Sequence, residues 1–321
     1  MGIEDLARWV SASVFNLEAS SRASEAVSFF IIDSIEIFAL LIMITLIMGA
    51  VRYVVPLEKM RDFLVAKNWY GFDLFLASSF GAVTPFCSCS SIPLFIGFLG
   101  AGVPLGVTFA FLITSPLINE VAVALMVGLF GWKVTAMYVV SGLVIGVAGG
   151  YILGRMRMER YVESFLQGKR NGGRVPEARA KVFSREAGRW ILREAWGVIK
   201  QVTPYLLIGV AVGAAIHGYL PKGLLEKYVG QGNLFAVPLA VVAGVPFYSG
   251  AHSVIPVIQP LVEKGVPLGT ALAFMMAVVG LSFPEMMILK KVMKWPLLVS
   301  FFGITAVGMV IIGYVLNLIV V

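Results

Sequence analysis

The pentapeptide Gly102-Val-Pro-Leu-Gly106 occurs a second time as Gly265-Val-Pro-Leu-Gly269, at an offset of 163 residues. Working outward, the same offset matches Pro93 with Pro256, Ala110-Phe111 with Ala273-Phe274, Trp132 with Trp295 and Tyr151 with Tyr314. Pro85-Phe86 matches Pro246-Phe247 after a two-residue adjustment, and Leu57-Glu-Lys59 resembles Leu225-Glu-Lys227. One pentapeptide can arise by chance, but an ordered series in one register means two halves built on one plan.

The halves are too apolar to face water. Hydrophobic residues make up 59% of the 321-residue chain, charged residues 13%, and the mean hydropathy is +0.91. Stretches 29–51, 105–130, 134–153, 202–220, 268–289 and 297–320 have membrane-spanning length with almost no charge. Backbone facing lipid must satisfy its own hydrogen bonds, so these stretches are expected to be helices. The first residues lack the pattern of a cleaved signal peptide, so the first helix is expected to be retained. Cys87 and Cys89, the only cysteines, stand one residue apart. That spacing suits no mutual disulfide, and both are expected as free thiols.

Between Arg155 and Lys200 lie twelve basic and five acidic residues, a net +7 equal to the formal charge of the whole chain. In so apolar a chain this reads as a cytoplasmic loop obeying the positive-inside rule, not as a nucleic-acid site. The expected division is a lead-in over 1–26, membrane repeat 1 over 27–154, a basic cytoplasmic linker over 155–198 and membrane repeat 2 over 199–321.

Basic residues Arg52, Lys59, Arg61 and Lys67 follow the first helix, whereas Glu4, Asp5, Glu18, Glu25 and Asp33 lie mostly before it or near its start, which puts the N-terminus outside. An even number of crossings must then separate residue 52 from residue 155. Stretches 105–130 and 134–153 supply two. Residues 71–100 hold two half-length apolar pieces broken at 84–93, expected as a re-entrant hairpin, with a two-crossing hairpin as the alternative. The second half repeats the pattern from the opposite side, with its hairpin over 234–263. The expected fold is therefore an all-α integral membrane protein of two inverted-topology repeats, each with about three transmembrane helices and a broken-helix hairpin.

Inverted repeats with broken helices are the layout of secondary transporters, in which freed backbone groups and half-helix ends form a substrate site near the bilayer midplane. The breaks read Pro85-Phe-Cys-Ser-Cys-Ser-Ser-Ile-Pro93 and Pro246-Phe-Tyr-Ser-Gly-Ala-His-Ser-Val-Ile-Pro256, aligning Cys89 with His252 and Ser90 with Ser253. Thiolate and imidazole prefer soft or borderline ions over alkali cations, so Cys87, Cys89 and His252 are candidate ligands for a soft metalloid. Ser88, Ser90, Ser91, Ser249, Ser253, Ser115 and Asn119 complete the candidate substrate site. Ser115-Pro-Leu-Ile-Asn-Glu120 and Ser282-Phe-Pro-Glu285 interrupt two further helices, and intramembrane carboxylates are functional candidates by default. Glu120 and Glu285 are expected to exchange protons and couple transport. Each element has a plainer reading: Pro and small residues kink and pack membrane helices, free Cys packs as a small hydrophobe, and Glu285 lies close to Lys290 at an interface.

With Pro-Phe-Cys-Ser-Cys-Ser-Ser-Ile-Pro, then Gly-Val-Pro-Leu-Gly, then Ala-Phe-Leu-Ile-Thr-Ser-Pro-Leu-Ile-Asn, a basic linker and a similar second half, the chain resembles the predicted-permease family that includes bacterial organoarsenical and arsenite efflux permeases. The resemblance covers about 30–155 and 195–321, and implies a multi-pass permease of the inner membrane. Ser90 stands where the family commonly has Gly after Cys-Ser-Cys. The expected function is export of a thiophilic metalloid or organometalloid such as a trivalent arsenical. A transition-metal ion, a sulfur species or another small solute is the alternative cargo, and a membrane-embedded thiol redox enzyme is the alternative class. Expected partners are the lipid bilayer and a small thiophilic solute, with no nucleic acid; homo-oligomerisation is left open. No Walker motif, Gly-rich nucleotide loop or His-Glu-x-x-His occurs in the sequence, and no cofactor is expected.

Overall fold

A computed structural model describes residues 22–54, 72–84, 88–118, 120–162, 185–219, 235–246, 254, 258–259, 261–262 and 265–319. Among them the regular elements are helices: α1 Arg22–Val54, α2 Phe72–Val83, α3 Ser88–Ala101, α4 Leu105–Leu117, α5 Glu120–Arg155, α6 Arg185–Tyr219, α7 Ala236–Gly244, α8 Leu268–Gly280, α9 Phe283–Leu289 and α10 Trp295–Ile319. A short 3₁₀ turn spans Glu159–Tyr161, and an isolated bridge joins Val162 to Met293. Helix α6 begins at Arg185, inside the basic stretch. The lead-in up to residue 21 and the linker centre at 163–184 lie outside the described residues.

Local structure recurs at the sequence offset. Helices α4 and α8 both hold 13 residues and start 163 residues apart, each capped by the proline of Gly-Val-Pro-Leu-Gly in an extended conformation. The turn before each is closed the same way: Gly102 N–H donates to the Leu99 carbonyl and Val103 N–H to Phe98, as Gly265 N–H does to Val262 and Val266 N–H to Leu261. The first glycine of each pentapeptide has φ +85° and +92°, left-handed values that exact a steric cost from any residue with a Cβ.

Two stretches expected as continuous crossings are divided. Residues 105–130 break after Leu117, where Ile118 turns extended, and the helix restarts at Glu120. Residues 268–289 break after Gly280 and restart at Phe283. Pro116 removes a donor from the last turn of α4, while Pro284 sits in the first turn of α9, where a missing N–H is tolerated. Helix α5 changes direction at Gly131 (φ +77°, ψ 171°), a conformation open essentially to glycine. Its remainder pairs with α10, since Trp132 and Trp295 start both pieces.

Helix α4 lies antiparallel to the second part of α5. The contact is a row of glycines one helical turn apart: Gly142 faces Ile118, Gly146 faces Thr114, Gly150 faces Ala110 and Gly106, and Gly154 faces Gly106. Small residues at this spacing let two backbones approach closely, the usual way for helices to associate in lipid. Helix α10 also runs antiparallel to α5, with Ile304 beside Gly149 and Gly308 beside Ile145. At one end of this pair the chains are tied by the bridge and by Lys294 N–H donating to the Tyr161 carbonyl at 2.8 Å. Helices α1 and α6 pack on each other, with Gly49 against Ile191. A run of rings, Phe95 to Phe109 at 5.2 Å and Phe109 to Phe301 at 5.5 Å, joins α3, α4 and α10 in the core. Two described helices, Ala122–Arg155 and Trp295–Ile319, are long and apolar enough to cross a membrane.

Candidate functional site

The break between α4 and α5 lies level with the middle of the second part of α5, the half-depth of that helix. Ile118 packs on Gly142, which is ten residues from Trp132 and thirteen from Arg155. At 1.5 Å per residue the break is therefore about 15 Å and about 20 Å from the two ends of that helix. Helix α2 reaches the same level. Its Gly81 has room for no Cβ because the Phe111 carbonyl would lie 2.9 Å away and the Ser115 nitrogen 3.2 Å away. Helix α3 starts there and runs back, so that Leu74 of α2 and Leu99 of α3 line one cavity of about 870 Å³ together with Arg155. Among the described site residues, Ser91, Ser115 and Glu285 stand outside the lining of that cavity.

The first turn of α3 contains Ser88, Cys89 and Ser90 in its backbone. Ser91, one residue on, is buried and shares a 2.7 Å hydrogen bond with Ser115, also fully buried, in the last turn of α4. That bond ties the start of α3 to the break that leads into Glu120, the first residue of α5. The second half has a parallel link. Phe283 N–H, at the start of α9, donates to the Val245 carbonyl at 3.2 Å, just past the end of α7 and just before Pro246. The two breaks adjoin, since a Cβ on Gly280 at the end of α8 would lie 2.8 Å from Leu117 at the end of α4. The ends of α2, α4, α7 and α8 are thus brought together by contacts between residues far apart in sequence.

Glu285 lies in the first turn of α9 with 1% of its surface exposed, and α9 packs against both α3 and α6. The interfacial reading of this carboxylate, drawn from Lys290, gives way to a buried one: Lys290 is exposed and lies 4.8 Å over the Trp295 ring. Ser282, also buried, has a hydroxyl with no hydrogen-bond partner among the described residues. Asp33 of α1 is likewise buried, with 3% of its surface exposed. Cys87, Asn119, Ser249, His252 and Ser253 lie outside the described residues, so the alignment of Cys89 with His252 stays a sequence expectation.

Sequence reasoning missed three hydroxyls at this level. Ser78 of α2 and Thr114 of α4 share a 2.7 Å hydrogen bond, and Tyr138 of α5 donates to the Leu117 carbonyl that the break frees. All three are buried. Their partners lie 36 and 21 residues away. A signal was nevertheless present: the glycines at 142, 146, 150 and 154 mark the α5 face that α4 covers, and Tyr138 lies one turn before that row.

Interrupted helices beside two helices of membrane-crossing length fit the architecture of membrane permeases. The chain belongs to a family described as predicted permeases, whose sequence pattern matches residues 22–318. UPF0718 protein MJ0584 of Methanocaldococcus jannaschii is 24% identical over 76% of this chain and 81% of its own length. UPF0718 protein YraQ of Escherichia coli is 27% identical over 71% of this chain, a match covering 62% of YraQ. A Streptococcus mutans relative named for a subunit of a two-component membrane permease complex is 23% identical over 70% of this chain and 72% of its own. No solved structure matches the chain.

Proposed function

We propose that this permease is a secondary transporter of the cytoplasmic membrane that exports a thiophilic metalloid or organometalloid, with trivalent arsenicals as the cargo class. The observation that carries the reading is the Ser91–Ser115 bond at half-depth. It sets the first turn of the Cys-x-Cys helix against the break that opens on Glu120. Two thiols one residue apart suit a trivalent arsenical: each As–S bond forms as an As–OH bond breaks, the thiol proton and the hydroxyl leave as water, and the reverse step releases the cargo. Ser88, Ser90 and Asn119 line the same site in this reading, with Ser249, His252 and Ser253 facing it from the second half. Glu120 and Glu285 take up protons on one side of the membrane and lose them on the other, which couples export to the proton gradient.

In the same reading the halves are inverted repeats with re-entrant hairpins, the N-terminus outside and the linker inside. Three features support this. The equivalent helices, α10 and the second part of α5, run antiparallel, and the exposed Trp132 and Trp295 at their starts fall at opposite ends, as interfacial aromatics do. Both arms of the α2–α3 hairpin border the cavity at the Arg155 end. Arms of 12 and 14 residues are about 18 and 21 Å long, short of a bilayer core of about 30 Å.

The test is export of phenylarsine oxide in everted vesicles by the wild type and by a Cys87→Ser, Cys89→Ser variant. It is run on the permease alone and with any membrane subunit that co-purifies in mild detergent. Transport by the double variant at the wild-type rate removes the thiols from the mechanism. Protection of both thiols from a membrane-permeant maleimide by the arsenical places the cargo at the first break, and undiminished labelling under saturating arsenical removes it from there.

A further inference from the structure

The offset that superposes turns and helix limits also shows where the halves differ. In the first half, hydroxyls hold the hairpin to its neighbours at half-depth: Ser78 to Thr114, Ser91 to Ser115, and Tyr138 to the Leu117 carbonyl. Gly146 makes room for the first of these, because a Cβ there would collide with Thr114 Oγ1 and stand 2.8 Å from Ser78 Oγ. The residues 163 positions on are Val241, Ala277, Val254, Val278, Phe301 and Met309, all buried. None of these side chains carries an O–H or N–H. The register is secure at these positions. Gly244, the counterpart of Gly81, would meet Phe274 and Val278 as Gly81 meets Phe111 and Ser115.

Hydrogen bonds fix the register of two helices because they are directional and require a set distance. Apolar contact is non-directional and tolerates the small sliding by which packed helices shear. We propose that the two halves are mechanically unequal. Hydroxyl bonds hold α2 in one register on α4, whereas α7 shears along α8 and draws α9, with Glu285, through the Phe283–Val245 bond. The far end of α8 is anchored, since the Asn317 side chain accepts from Thr270 N–H at 3.1 Å and donates to Thr270 Oγ1 at 2.9 Å. Its counterpart in the first half is Gly154, which makes no such tie. Among the described residues, the second half is therefore anchored at one end, and apolar side chains stand at half-depth where the first half has hydroxyls. That the shear moves a coupling carboxylate rests on the transport reading above; the inequality itself does not.

The experiment measures paired distances by electron spin resonance in nanodiscs, using labels on ketone-bearing residues so that Cys87 and Cys89 stay intact. Ser79 with Val144, and their equivalents Val242 with Val307, report α2 against α5 and α7 against α10. The expected result is a single narrow distance for 79/144 and a broad or two-peaked one for 242/307. Ser78→Val with Thr114→Ala should raise a second 79/144 peak about three- to fivefold, the ratio one such hydrogen bond is worth. Tyr138→Phe serves as a milder variant should that pair not fold. Equal widths in the wild type, or a 79/144 distance that neither variant changes, overturn the proposal. If phenylarsine oxide shifts neither pair while the widths differ as expected, the cargo reading fails and the mechanical inequality stands.

Discussion

Gly146→Ala tests how tightly α4 and α5 are fitted at half-depth. The added Cβ would overlap Thr114 Oγ1 and lie 2.8 Å from Ser78 Oγ and 3.2 Å from the Ala110 carbonyl. Helix α5 has little room to retreat, because α10 packs against it, with Ile304 beside Gly149 and Gly308 beside Ile145. Thr114 must instead rotate and give up its bonds to Ser78 at 2.7 Å and to Ala110 at 2.9 Å. Overpacking costs about 1–3 kcal/mol, and a lost buried hydrogen bond in a membrane protein about 0.6–1.5 kcal/mol, so the variant should lose about 2–4 kcal/mol. For a chain of 321 residues that is a fall of about 3–6 °C in the unfolding midpoint in mild detergent. Gly303→Ala is the control: no atom lies within 4 Å of its Cβ, and the midpoint should hold or rise slightly. The decisive comparison is a double-mutant cycle. With Thr114→Ala in place the overlap with Oγ1 disappears, and the Gly146→Ala cost should shrink by about 1 kcal/mol or more. A Gly146→Ala midpoint equal to that of Gly303→Ala, or a cost undiminished by Thr114→Ala, refutes the reasoning.

Tyr138→Phe should lower the stability by about 1–2 kcal/mol, because it strands the Leu117 carbonyl at the break; no loss in the same melting assay would mean that carbonyl is otherwise satisfied. Asn317→Ala removes both bonds to Thr270, should cost about 1 kcal/mol, and should speed hydrogen exchange in the first turn of α8 while leaving that of α4 unchanged. Glu285→Gln keeps the shape of a fully buried carboxyl but cannot ionise. In everted vesicles it should abolish pH-gradient-driven arsenical transport while preserving arsenical protection of the thiols, and driven transport at the wild-type rate would remove Glu285 from coupling. Gly81→Ala and Gly244→Ala should each cost about 1–3 kcal/mol, since each Cβ would press on the backbone of the facing helix within 2.9–3.2 Å.

Much of the architecture was legible because it is local. Apolar composition declared helices in a bilayer, and the repeated pentapeptide declared two like halves whose glycines share left-handed φ and whose helices share length. The interruptions were legible as Ser-Pro and Ser-Phe-Pro, though the crossings they divide looked continuous, since hydropathy averages over a two-residue break. The burial of Glu285 could not be read from its distance to Lys290, because counting residues measures separation along the chain. Burial depends on α9 lying against α3 and α6.

The sequence alone therefore determined what each segment is: helix, turn or break, and which half it echoes. Backbone conformation and hydropathy are properties of a few neighbouring residues, and a 163-residue offset compares them term by term. Only the tertiary structure decided what the breaks do to one another. Ser78 finds Thr114, Ser91 finds Ser115 and Tyr138 finds Leu117 across helices, and a hydroxyl acquires meaning only when a partner stands within bonding distance. The substitutions of Val, Ala and Phe for those hydroxyls were in view from the start. They became a difference between the halves only once packing showed what the hydroxyls hold together.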